Sequence, residues 1–237
     1  MKTRLPDKEY EAILMDTIEQ NKKLKLPLTY AKWNSQVSLQ NNIIEDKNFY
    51  AQSYVLNTFK LITSVSNHIS LTNHPNRDMR LQHINGSFGE IVTSLGFDYG
   101  DERAIASETN RGIIVGTSTI AEAITDNHLH GLIPHGIMAE QLDYRPEHVY
   151  TVNYNVTLAR WEITQARRFI NNSGAAITVN EIGLAVNNIT HRPVAPSSGT
   201  FREINILLIR DVLLTGITIP HTGQLTLTLT KFTAAAW

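Results

Sequence analysis

Two histidines stand two residues apart, His128 and His130, with His135 five further on and Asp126 just before them. A His-x-His pair in extended backbone can turn both imidazoles toward one ion, and imidazole suits zinc, copper or nickel. On a helix the same two positions point apart and the pair fails. His128, His130 and His135 are therefore the candidate metal ligands. The expected reading is plainer: loop or interface histidines, with no metal and no cofactor. Glu181 lies inside the apolar run from Ile177 to Val186. A carboxylate there could serve as a catalytic acid with a raised pKa, or it could be a strand charge paired with an arginine such as Arg168 or Arg210. The ion pair is the expected role.

Gly112, Gly116, Thr117 and Ser118 resemble a phosphate loop in outline, but the lysine and the longer spacing that reach phosphates are missing. The glycines are expected where strands turn or approach closely. Tyr144, Tyr150, Tyr154 and Trp161 could stack on sugars or bases, although core and interface packing more often claim such residues. The chain has no cysteine, which removes disulfides, thiolate zinc sites and cysteine nucleophiles together. No serine sits in a Gly-x-Ser-x-Gly elbow. No catalytic residue is assigned, and the chain is expected not to be an enzyme.

The elements that must position these residues change character along the chain. Asp7 to Gln20 reads as a short helix, with Asp7 as cap and Ile13, Leu14 and Ile18 on one side. Residues 1–45 as a whole read as an arm that needs a partner surface, and residues 46–66 as a second helical stretch. Residues 67–86 read as a loop. Strand signals dominate from residue 87. Phe88 to Leu95 and Gly112 to Ser118 are candidate strands, while Asp126 to Ile133 reads as one or two helical turns. Val152, Tyr154, Val156 and Leu158 alternate with polar residues. The apolar parity then switches to Trp161, Ile163 and Phe169, which places a bulge or turn near Ala159 and Arg160. Asn171 to Gly174 reads as a turn, and parity changes again between Val179 and Ile182. Residues 187–203 read as a loop. Ile204 to Leu214 is apolar on both faces and reads as a central strand. Leu225, Leu227 and Leu229 alternate cleanly with Thr226, Thr228 and Thr230. This pattern predicts a mainly β chain: an antiparallel β-sandwich, jelly-roll or Ig-like, over residues 86–237, preceded by an N-terminal arm over 1–85 with one or two helices.

The whole-chain numbers narrow the function. The 237 residues carry 21 Lys+Arg against 22 Asp+Glu, a formal net charge of −1. A nucleic-acid partner would call for a basic excess, so none is expected. A weakly charged surface has little self-repulsion and suits packing against copies of itself. No apolar run approaches the ~20 residues of a membrane span, so no membrane insertion is expected. No apolar stretch follows the N-terminal residues as a secretory leader requires, which leaves the sequons at Asn85, Asn155, Asn171 and Asn188 as chance occurrences. The apolar tail that ends in Trp237 is expected to dock on its own domain or on a neighbour.

A series of short motifs runs from Gly112–Thr117 through Asp126, Leu129, Ile133, His135 and Gly136 to Arg168–Gly174. It continues with Ile177, Val179, Glu181, Gly183 and Leu184, then Leu208–Leu213, Ile219-Pro220 and Leu225–Leu229. This order resembles a group of poorly characterised virion proteins encoded by tailed bacteriophages, and it covers about half the chain, residues 110–233 or so. The resemblance implies a structural part of the head, neck or tail, present in several copies and assembled in the host cytoplasm. Copies of itself and other virion proteins would be its partners. It brings no catalytic residues. A receptor- or glycan-binding module with a cell-surface glycan as ligand is the alternative, and a polysaccharide-degrading enzyme a more distant one.

Overall fold

The computed structural model describes residues 6–24, 28–54, 81–82, 84–85, 88–89, 103–189 and 203–234. The chain is mainly β, with antiparallel sheets and one helix near its N-terminus. The helix α1 runs Asp7–Leu24. The strands are β1 Leu28–Leu39, β2 Asn42–Tyr50, β3 Leu81–Gln82, β4 Phe88–Gly89, β5 Gly112–Gly116 and β6 Asp143–Tyr144. They continue with β7 Val149–Asn155, β8 Arg160–Ile170, β9 Ile177–Ile189, β10 Glu203–Ile219 and β11 Gln224–Ala234.

The larger sheet has the order β2-β1-β11-β8-β6, and β7 also pairs with β8. Its register lines up an inward set: Trp33 beside Leu229 and Gln165, Ser35 beside Leu227 and Arg167, Val37 beside Leu225 and Phe169. The smaller sheet has the order β10-β9-β5, and Ile113, Val115, Ile182, Leu184, Val186, Ile206 and Ile209 join the same buried core. One core shared by two sheets is what a half-apolar strand pattern demands, because each sheet must bury one face.

The N-terminal region departs from the expected arm. Residues 28–50 are β1 and β2, and β1 lies between β2 and β11 with Trp33 fully buried. The helix expected over 46–66 is therefore strand at its start, and residues 55–66 lie outside the described residues. The hidden signal has a simple cause. The inward positions of β1 include Ala31 and Ser35 beside Trp33 and Val37, so small and polar side chains mask the two-residue period. The expected helix over Asp7–Gln20 is present. Its Tyr10, Leu14 and Ile18 cover Tyr30, Tyr50 and Phe232 on the outer face of the larger sheet.

Further along, the parity switch near Ala159 is a tight hairpin turn between β7 and β8, with Ala159 at φ 48°. The Leu225–Leu229 alternation is borne out, with all three leucines fully buried. By contrast, β10 is an edge of its sheet and β9 is the centre. Ile206 to Ile209 are buried on both faces because the larger sheet covers one side and a long irregular segment covers the other. Most of the 67–86 and 187–203 loops, residues 90–95 of the candidate strand and the tail ending in Trp237 lie outside the described residues.

Candidate functional site

The residues between β5 and β6 form no helix, so the helical turns expected at Asp126–Ile133 are replaced by an irregular segment laid over the smaller sheet. Polar groups pin that segment down. Glu181 projects from β9 and is fully buried. Its Oε1 accepts the Gly131 N–H at 2.6 Å and its Oε2 accepts the His130 N–H at 3.3 Å. Arg210, fully buried on the neighbouring β10, donates from Nε to Glu181 Oε2 at 2.9 Å and from Nη1 to Asp126 Oδ2 at 2.8 Å. Arg210 Nη2 also donates to the Ile120 carbonyl at 2.9 Å. Asp126 Oδ2 accepts the Ala123 N–H at 2.8 Å. The Asp126 carboxylate thus closes a turn and holds Arg210.

Two glycines make room for this arrangement. A Cβ on Gly116 would sit 2.4 Å from Glu181 Oε1 and 2.8 Å from the Gly131 carbonyl. A Cβ on Gly183 would meet Leu129, which the irregular segment drops onto the sheet, at 2.9 Å. Of the two glycines of the phosphate-loop look-alike, Gly116 is thus a close-approach glycine, while Gly112 adopts a left-handed φ of 70°.

A second buried arginine works in the same way. Arg167 on β8 donates from Nε to the Arg145 carbonyl, from Nη1 to those of Arg111 and Ile113, and from Nη2 to those of Ile105 and Glu108, all at 2.7–3.1 Å. All five guanidinium donors are used. Burial pulls its pKa below the usual arginine value, while the Glu147 carboxylate nearby pushes it back up. The guanidinium also lies 5.0 Å from the centroid of the Tyr144 ring. Asp211, next to Arg210, joins the two sheets: it accepts Trp33 Nε1 at 2.9 Å and the Gln52 and Ser53 N–H groups at 2.8 and 3.1 Å.

The three histidines do not converge. His128 and His130 stack at 5.2 Å, and His130 Nε2 lies 3.3 Å from Asp126 Oδ1. His135 stands apart, its Nδ1 accepting the Tyr144 N–H at 3.1 Å. Among the described residues no group of three or more His, Asp or Glu side chains could hold a metal ion. A cleft of ≈ 540 Å³ opens beside the irregular segment, lined by Thr117, Glu140, Gln141, Thr178 and Asn180 among others. Glu181 does not reach into it; both of its oxygens are occupied beneath.

The aromatic candidates separate into two kinds. Tyr144 is fully buried and donates to the Ile133 carbonyl at 2.7 Å. Burial raises its pKa well above the ordinary phenol value, against the lowering effects of the Val115 carbonyl and of Arg167. Tyr150, Tyr154 and Trp161 are each 40–49% exposed, and the Tyr154 and Trp161 rings lie 5.1 Å apart. The β7–β8 register puts Tyr150, Val152 and Tyr154 beside Gln165, Ile163 and Trp161. That row continues the inward face of the larger sheet past the region the smaller sheet covers. Sequence reasoning missed Arg167 and Asp211. The signal available was a charged residue at an inward position of an alternating strand.

Among the described residues no helix is long and apolar enough to cross a membrane. No protein-family model, curated protein or solved structure matches the chain.

Proposed function

We propose that this chain is a non-enzymatic structural component of a tailed-phage particle, a β-sandwich that assembles with copies of itself and with other virion proteins. One observation carries the structural part of this reading. The buried charges Arg167, Glu181, Arg210 and Asp211 all hold backbone or each other, while the β7–β8 hairpin exposes Tyr150, Val152, Tyr154, Val156, Leu158 and Trp161. Buried charges that fix the backbone, together with exposed apolar side chains on one hairpin, suit a building block.

The phage assignment rests on the motif series. Its members fall on β5, the irregular segment, and β8 to β11, so the resemblance is carried by residues that set the scaffold. Quantitative mass spectrometry of gradient-purified particles, from the strain that encodes the chain, tests it. Many copies per particle are expected. Absence from particles, with the protein abundant in the soluble fraction, overturns it.

The exposed Tyr154–Trp161 pair favours a second reading, a glycan-binding module, because paired aromatic faces stack on sugar rings. A glycan panel tests it: binding lost on Trp161→Ala supports it. Tyr144 has no part in that reading, since it is buried. Glu181 is not offered as a catalytic acid, since both oxygens are occupied and its side chain is sealed from solvent.

A further inference from the structure

We propose that the ≈ 540 Å³ cleft between the irregular segment and the start of β9 is a binding site for an alkylammonium group, a protonated primary amine carried on an apolar stem. The proposal does not depend on the virion reading.

Both walls of the cleft are braced by the fold. One is the turn over residues 134–142. Its Leu142 N–H donates to the Pro134 carbonyl at 3.1 Å, and its Gly136 N–H donates to the Leu142 carbonyl at 3.0 Å. The Gln141 N–H donates to the Met138 carbonyl at 3.1 Å, and Gln141 Oε1 accepts the Met138 N–H at 3.1 Å in return. Gly136 makes room for that amide, since a Cβ there would run into Gln141 Oε1. The other wall is β9. Asn180 Nδ2 donates from it to the Thr117 carbonyl at 2.9 Å, and the Thr117 N–H donates to the Gly131 carbonyl at 2.8 Å. A concave volume of this size, formed in advance, is the usual setting of a small-molecule site.

The lining selects the ligand. Glu140 is the one charged residue among the described residues that line the cleft. Among the described residues no hydrogen bond or ion pair engages its carboxylate. The braced turn holds Glu140 at φ 61°, a left-handed conformation that such a side chain seldom adopts. Strain of this kind persists where the surrounding structure enforces it, and it gathers at ligand sites. The other polar lining residues, Thr117, Gln141, Thr178 and Asn180, are neutral, and Leu132, Pro134 and Ile177 add apolar surface. An ammonium gains charge-assisted hydrogen bonds from the carboxylate, while its stem covers the apolar part. An anion would meet Glu140 with no cation among the described lining residues to offset it, and a sugar ring would find no aromatic face there.

The test is a titration of the isotope-labelled full chain with n-pentylamine, n-pentanol and pentanoate, read by amide NMR shifts. Pentylamine is expected to give saturable shifts at Thr117, Ile133, Gln141 and Asn180, pentanol weaker ones and pentanoate none. Glu140→Gln is expected to weaken pentylamine binding about two- to fivefold, as for a solvent-screened ion pair, and to leave pentanol binding unchanged. Ala139→Trp, at an exposed position on the rim, is expected to abolish both with the melting midpoint unchanged. A blocked peptide with one central lysine separates the two sources of the group. Shifts at the same amides identify a lysine side chain of a protein as the ligand, and pentylamine binding without them identifies a free amine. Equal binding of the three pentyl compounds, binding undiminished in Glu140→Gln, or no shifts at the cleft amides overturns the proposal. Each of these outcomes leaves the virion reading to the particle measurement.

Discussion

Arg210 has no water to fall back on. Its guanidinium is buried between Glu181 and Asp126, so removing it leaves two carboxylates short of a counter-charge. Breaking a buried pair from one side costs about 3–5 kcal/mol, and Arg210→Met is expected to lose stability of that order in urea unfolding. Arg167→Lys tests the second clamp. Lysine offers three donors where five carbonyls wait, and each buried carbonyl left unsatisfied costs about 1–3 kcal/mol. Tyr144 makes a prediction in pH. Its folded pKa is raised and the unfolded phenol titrates near 10, so the folded state holds its proton to higher pH. The stabilising contribution is complete below pH 10 and declines as pH rises past it, at about 1.4 kcal/mol per pH unit. Partly buried Tyr54, its pKa also raised by desolvation, adds to the same decline. Denaturant titrations between neutral and alkaline pH should show the loss, with a shallower slope in Tyr144→Phe. At this scale the sequence revealed part of the answer: an acid in an apolar run proclaimed the Glu181–Arg210 pair. Arg167 showed only as a charge at an inward position of β8; four of its five carbonyl acceptors lie outside the strands, where no side-chain pattern encodes them.

The elements divide by how regular their burial is. Strand β11 and strand β7 were legible because large apolar residues occupy every second position along much of their length. Strand β1 was not, because Ala31 and Ser35 fill inward places beside Trp33. The segment around Asp126 was misread as helix because its cap-like aspartate serves Arg210 instead. That segment owes its path to close approach at two glycines, and alanine substitutions should rank accordingly. Gly116→Ala drives a Cβ into a carboxylate and a backbone carbonyl, whereas Gly183→Ala meets the ends of Leu129 and Leu207. Overpacking costs about 1–3 kcal/mol, with Gly116→Ala expected to be the worse of the two by melting midpoint. If Gly183→Ala proves the worse, the proposed tie between Gly116, Glu181 and Gly131 is wrong.

For the whole molecule, the N-terminus is part of the fold and not an appendage to it. Removing residues 1–24 should leave both sheets intact and uncover Tyr30, Tyr50 and Phe232. Removing residues 1–45 takes away β1 and Trp33 and should abolish cooperative unfolding, as monitored by circular dichroism. The proposed role as a building block requires that the chain stand beside its own copies. The most direct test is the mass of the full-length protein by light scattering after size exclusion, from dilute to concentrated solution. A discrete multiple of 26.6 kDa is expected. A mass of one chain at every concentration would contradict it.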